Sequence, residues 1–156
     1  MIDSIAVAAQ KLLWLIPNNL IALLARFAVG LTFFKSGLTK LEGASVIDKL
    51  TGFDIAAKTY FLFENIYRVP LLSPEVATRM ATTAEIVCPI LLWIGFLGRF
   101  SATALLIMII VIQLFVKVDA YHDHAFWSVC LLFIMKYGPG VFSIDYFIHR
   151  DLARTN

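Results

Sequence analysis

Charge is scarce in this chain. Of 156 residues, 13 are Lys or Arg and 11 are Asp or Glu, 15% in all, against roughly 25% in an ordinary soluble domain. Cysteine is scarcer still. Cys88 and Cys130 both lie in apolar stretches and form neither a CxxC pair nor a metal-ligand spacing. They read as small buried hydrophobes and say nothing of the redox compartment. No basic run or stripe marks a nucleic-acid surface. There is no Gly-rich nucleotide loop, and no Ser/His/Asp spacing suggests a hydrolase. The three histidines, His122, His124 and His149, all fall near the ends of apolar runs. The paired histidines that hold a haem between spans are therefore missing.

What the chain has in place of charge is grease. Hydrophobic residues make up 60% of it, and its mean hydropathy is +0.83. A soluble fold of this size has too little interior to hide that much apolar surface, whereas a bilayer accepts it as solvent. The reading is a polytopic membrane protein, all-α, occupying residues 1–156 as one domain.

Four apolar runs approach the roughly 20 residues that a bilayer crossing needs. They cover about 20–41, 75–96, 100–116 and 124–142. The second has a well-marked start, with Ser73 as N-cap, Pro74 at the first helical position and Glu75 behind it. The fourth contains Gly138-Pro139-Gly140, which breaks its last turn. Residues 3–16 end at Pro17-Asn18-Asn19 and suit a helix lying at the membrane surface. The start of the chain lacks a basic region and a cleavage site, so the first crossing is expected to act as an uncleaved anchor. The only long loop, about 42–73, has an amphipathic, aromatic second half. Tyr60, Phe61, Phe63 and Tyr67 there suit the headgroup layer, and an interfacial helix is predicted. Four crossings put both termini on one side, and the reading adopts the cytoplasm.

The ionisable residues inside these runs carry the functional question. A charge at the bilayer centre costs about 2.5–3.5 kcal/mol on insertion scales, so such residues face the bundle and find partners. On the first span Arg26, Gly30, Phe33, Gly37 and Lys40 share a face, and the two glycines admit another helix closely. Lys35 points the other way and reaches the surface along its stem. Glu85 lies near mid-membrane on the second span. Pro89 four residues on has no N–H, so the Glu85 carbonyl loses its usual helical partner. Gln113 on the third span and Lys136 on the fourth complete the set. The expected intramembrane cluster is Glu85 with Arg26 or Lys136, and Gln113 beside them. Arg26 and Lys136 stand roughly 9 Å from Glu85 in depth, at about 1.5 Å per residue. Two roles fit such a cluster: an ion pair that fixes helix docking, or a site for a polar head group or proton relay. His122 and His124 flank Asp123 in a His-x-His arrangement, a weak metal signal without a third ligand. Trp127 reads as an interface anchor.

Three blocks together resemble the DoxX family. The run LLARFAVGLTFFKSGLTKLEG resembles its first-helix signature. ATTAEIVCPILLWIGFLGRFSATALLIMIIVIQLFV resembles its Glu-containing second helix, Gly-x-x-Arg-type turn and third helix. HAFW followed by YGPGVFSIDYF resembles its closing helix. Carried over by that resemblance are Arg26, Ser36, Gly37, Lys40, Glu85, Arg99, Gln113, Gly138, Gly140, Ser143 and Asp145. Lys35 and the segment 117–124 depart from the family's pattern. The runs LFENIYRVPLLSPE and VIQLFV are similar to a branch encoded beside copper-responsive modified peptides and their iron-dependent modifying enzymes. The resemblance implies a four-helix bundle in the bacterial inner membrane, serving a redox, copper or oxidative-stress system as an accessory component without catalysis of its own. A quinone-interacting subunit of a membrane oxidoreductase and a small proton-coupled transporter are the alternatives. Quinone is the candidate cofactor, and a metal is not expected. The implied partners are the lipid bilayer and redox or metal-handling proteins, with no nucleic acid. Oligomerisation is left open.

Overall fold

The computed structural model describes residues 16–153, and the interfacial helix expected over residues 3–16 falls almost wholly outside them. The first helix, α1, runs Asn18–Lys40, opening directly behind Pro17 and ending where Leu41 turns extended. Leu41 makes an isolated antiparallel bridge to Ile55, and among the described residues there is no sheet. Two short helices fill the long loop. The first, α2 (Val46–Gly52), is set by a capping box, Ser45 with Asp48. The second, α3 (Ala57–Leu62), widens into a π-turn over Phe63–Tyr67. Ser73 caps α4 (Pro74–Ile94), with proline in its first turn, as the sequence predicts. Gly95 ends it in a left-handed conformation, φ +68°. Helix α5 (Gly98–Phe115) follows a turn of three residues, Gly95 to Leu97, and a 3₁₀ turn over Val118–Ala120 leads into α6 (Tyr121–Tyr137).

The fourth apolar run stops at Tyr137, short of the expected 142, because Gly138 leaves helical conformation and Pro139 follows. The chain then starts an unforeseen helix, α7 (Ile144–Leu152), capped by Ser143.

Helices α1, α4 and α5 are long and apolar enough to cross a membrane; α6 is 17 residues long. The four pack as a ring: α1 against α4 and α6, and α5 against the same two, so α4 and α6 stand diagonally. Val29, Phe33, Leu92, Leu105, Leu131 and Ile134 form the central core. The outer faces remain greasy. Leu24, Phe27, Val87, Ile110, Leu114 and Phe126 are among the exposed large side chains. A soluble monomer rarely exposes apolar surface on this scale, and lipid is its natural cover.

Gly37 brings α1 and α4 together. A Cβ there would lie 2.7 Å from Ile86 Cδ1 and 3.1 Å from Glu85 Cβ. Gly30 makes the same approach to Trp93, whose indole nitrogen would be 2.5 Å away. The glycine stripe read from the sequence is thus the docking seam.

Candidate functional site

The polar residues sort into two groups, one at each end of the ring. At the end holding the start of α1, Arg26 is 1% exposed. Its guanidinium donates four hydrogen bonds, all to backbone carbonyls: Nε to Leu92 (2.6 Å), Nη2 to Trp93 (2.6 Å), and Nη1 to Pro139 (2.6 Å) and Phe142 (2.9 Å). Leu92 and Trp93 lie in the last turn of α4, where a cation is favoured; the Leu92 carbonyl also accepts from Gly95 N–H. The chain around them is knotted further. Asn19 Oδ1 accepts from Val141 N–H, and the Asp145 carboxylate accepts from the N–H groups of Leu97 (2.8 Å) and Gly98 (2.8 Å) at the start of α5. Ser143 Oγ donates to the Gly140 carbonyl and accepts from Tyr146 N–H. Arg26, Gly140, Ser143 and Asp145 therefore belong to one structural knot. Gly138 adopts φ +83° beside it, with the exposed Arg99 guanidinium as its nearest neighbour.

At the other end, Glu85 pairs with Lys40. Ser36, one turn before Lys40, accepts from Lys40 Nζ (3.0 Å) and donates to Glu85 Oε1 (3.3 Å). The side chains of Lys40 and Glu85 are 16% and 5% exposed. The expected partners of Glu85 are not there. Arg26 stays at its own depth, where four carbonyls lie within reach. Lys136 is exposed and lies over the Tyr137 ring, 5.2 Å from its centroid. Gln113 does not join Glu85 either. Its Nε2 donates to the Val118 carbonyl (2.7 Å), and its Oε1 lies 2.5 Å from His124 Nδ1. His124 is 5% exposed. His122 instead stacks against Tyr121 at 3.8 Å, so the two histidines diverge. Among the described residues no group of three His, Cys, Asp or Glu side chains could hold a metal ion.

Between these polar groups lies a cavity of about 820 Å³. Ser36, Lys40 and Glu85 line one side of it, and His124 and Trp127 line another from the diagonal helix α6. Aliphatic side chains of α4 and α5, Met80, Ala84, Ile107 and Met108, supply apolar wall. Phe63 and Tyr67 of the π-turn close in from the loop. Trp127 stands edge-on to Phe33, with ring centroids 5.7 Å apart. It is thus a wall of the cavity, a role that the reading as an interface anchor does not include. Large apolar cavities with a few convergent polar groups are the usual form of a small-molecule site.

The sequence profile of the DoxX family matches residues 21–118. A protein of Haemophilus influenzae, described as uncharacterized, is 28% identical over 143 residues, which cover 86% of this chain and 87% of the relative. No solved structure matches significantly. Family and apolar helices agree on a small membrane protein.

Proposed function

The chain belongs to the DoxX family, and from that premise we propose that it is an accessory membrane component of a redox or oxidative-stress system, acting as a quinone-interacting subunit. The observation that carries this reading is the cavity: apolar walls, with Lys40, Glu85 and His124 as its polar points. A quinone has the same character, an apolar ring and tail with two oxygens. Met80 and Ile107 line the cavity yet are 59% and 58% exposed on the outer face, which supports entry from the bilayer between α4 and α5. The lining residues lie toward the loop end, and Arg26 ties the other end shut. That one-ended shape favours a binding pocket over a proton-coupled transport path. Both runs that resemble the copper-linked branch also supply lining, through Phe63 and Tyr67 and through Val111 and Val116. The resemblance of these two runs is what supports a place in that branch.

In this reading α6 is the fourth crossing. Its 17 residues extend roughly 26 Å at 1.5 Å per residue, near the thickness of the hydrocarbon core. The bond from Val141 to Asn19 supports it, because the chain returns to the level where α1 begins. The bacterial inner membrane with both termini cytoplasmic is the placement adopted.

The test is purification in mild detergent followed by solvent extraction and chromatography of the bound lipids. The reading expects quinone near stoichiometric amounts, and at least tenfold less from Ala84→Trp, which fills the cavity. A quinone-free wild-type protein that also fails to take up added decylubiquinone would overturn it.

A further inference from the structure

The hydrogen bonds of Gln113 and His124 determine which atom the cavity offers its occupant. The Val118 carbonyl can only accept, so the Gln113 amide nitrogen must face it. That orientation turns Gln113 Oε1 toward His124 Nδ1, and an amide oxygen also only accepts. Nδ1 therefore carries the ring proton. On the neutral imidazole this leaves Nε2 as a lone-pair acceptor. Nε2 has no partner among the described residues, although His124 is 5% exposed and lines the cavity. Nε2 is not among the fully enclosed polar atoms that lack a partner, so it opens to the cavity. The walls there are mostly apolar, and a ligand that supplies an O–H satisfies this acceptor where one that supplies only a carbonyl does not.

We propose that the cavity selects the hydroxylated, reduced form of its ring ligand, a hydroquinone, by accepting a ring O–H at His124 Nε2. This rests on the reading of the cavity as a quinone site and adds which oxidation state it holds. Trp127, with its ring centroid 5.4 Å from that of His124, offers an aromatic face beside the acceptor. Lys40 and Glu85, on helices α1 and α4, provide a donor and an acceptor for the ring's other oxygen. Gln113 is a positioning residue: it touches no ligand and acts by fixing the tautomer of His124.

Equilibrium binding to the full chain in lipid nanodiscs tests this, with decylubiquinol kept reduced under anaerobic conditions and decylubiquinone as the two probes. The wild type is expected to bind the quinol about tenfold more tightly, the scale of one added hydrogen bond. His124→Phe is expected to bind both probes equally, with quinone affinity within about twofold of the wild type. Gln113→Leu, which frees the imidazole to exchange tautomers, is expected to narrow the preference while leaving quinone affinity in place. Intact quinone binding in either variant shows that the cavity still forms. Equal binding of both probes by the wild type, or an undiminished quinol preference in His124→Phe, overturns the inference and leaves the quinone reading standing. Binding of neither probe by the wild type overturns both.

Discussion

Lys40 is the partner of Glu85, reaching it from one turn beyond Gly37, one of the two glycines where α1 and α4 approach closely. Neither Arg26 nor Lys136, the cations expected from the sequence, makes this contact. The pair sits on the wall of a cavity and not within a sealed core, a position open to both helix docking and the proposed ligand.

Breaking that pair on one side strands a charge. Lys40→Met is expected to destabilise the protein by about 3–5 kcal/mol, the range for an orphaned buried ion. The double variant Lys40→Met/Glu85→Leu is expected to recover most of the loss. Thermal unfolding of all forms in one detergent, read as a double-mutant cycle, measures it. Additive losses would show that the two residues do not interact.

Arg26→Lys is expected to be as damaging as a neutral substitution. An ammonium cannot reproduce the planar fork that reaches Leu92, Trp93, Pro139 and Phe142 together. The expected cost is about 2–4 kcal/mol, from lost charged hydrogen bonds and orphaned carbonyls. It is read from the melting temperature and from resistance to proteolysis after residue 138.

Gly37→Ala places a methyl group 2.7 Å from Ile86 Cδ1 and is expected to cost about 1–3 kcal/mol by overpacking. Ile86→Val removes that δ-carbon. Adding it to Gly37→Ala should restore most of the stability if the clash is the cause. A pair no more stable than Gly37→Ala alone would point to the contacts that valine keeps, the γ-carbon at 3.0 Å and Glu85 Cβ at 3.1 Å.

Four crossings and three crossings differ in where the ends lie. Split-fluorescent-protein tags at each terminus, complemented by a cytoplasmic fragment, are expected to light up at both ends. A signal at one end only would mean that α6 does not cross.

The long runs are legible in the sequence because a lipid crossing writes itself as unbroken apolar length. The start of α4 is legible to the residue, since Ser73-Pro74 satisfies orphan N–H groups in a recognisable way. Helix α7 is not announced, because its nine residues mix Ile144, Phe147 and Ile148 with Asp145, Arg150 and Asp151, too short a stretch for a helical period to stand out. The partners of Glu85 and Arg26 depend on how α1 slides along α4. Composition marks that a buried charge needs a partner, but only the register set by Gly30 and Gly37 shows that Lys40, and not Arg26, arrives at the depth of Glu85. The link from Gln113 to His124 is likewise set by the short 3₁₀ connection that folds α6 back beside α5.

Arg26 waits for its companions. The Pro139 carbonyl that it holds lies 113 residues further along the chain. At roughly 5–20 residues per second of synthesis, the guanidinium spends roughly 6 to 23 seconds in a nascent helix before that acceptor has been made. A stretch made much later is therefore the one that locks α1 in place. A chain cut short before residue 139 is expected to be cleared by membrane proteases rather than to persist as a smaller bundle.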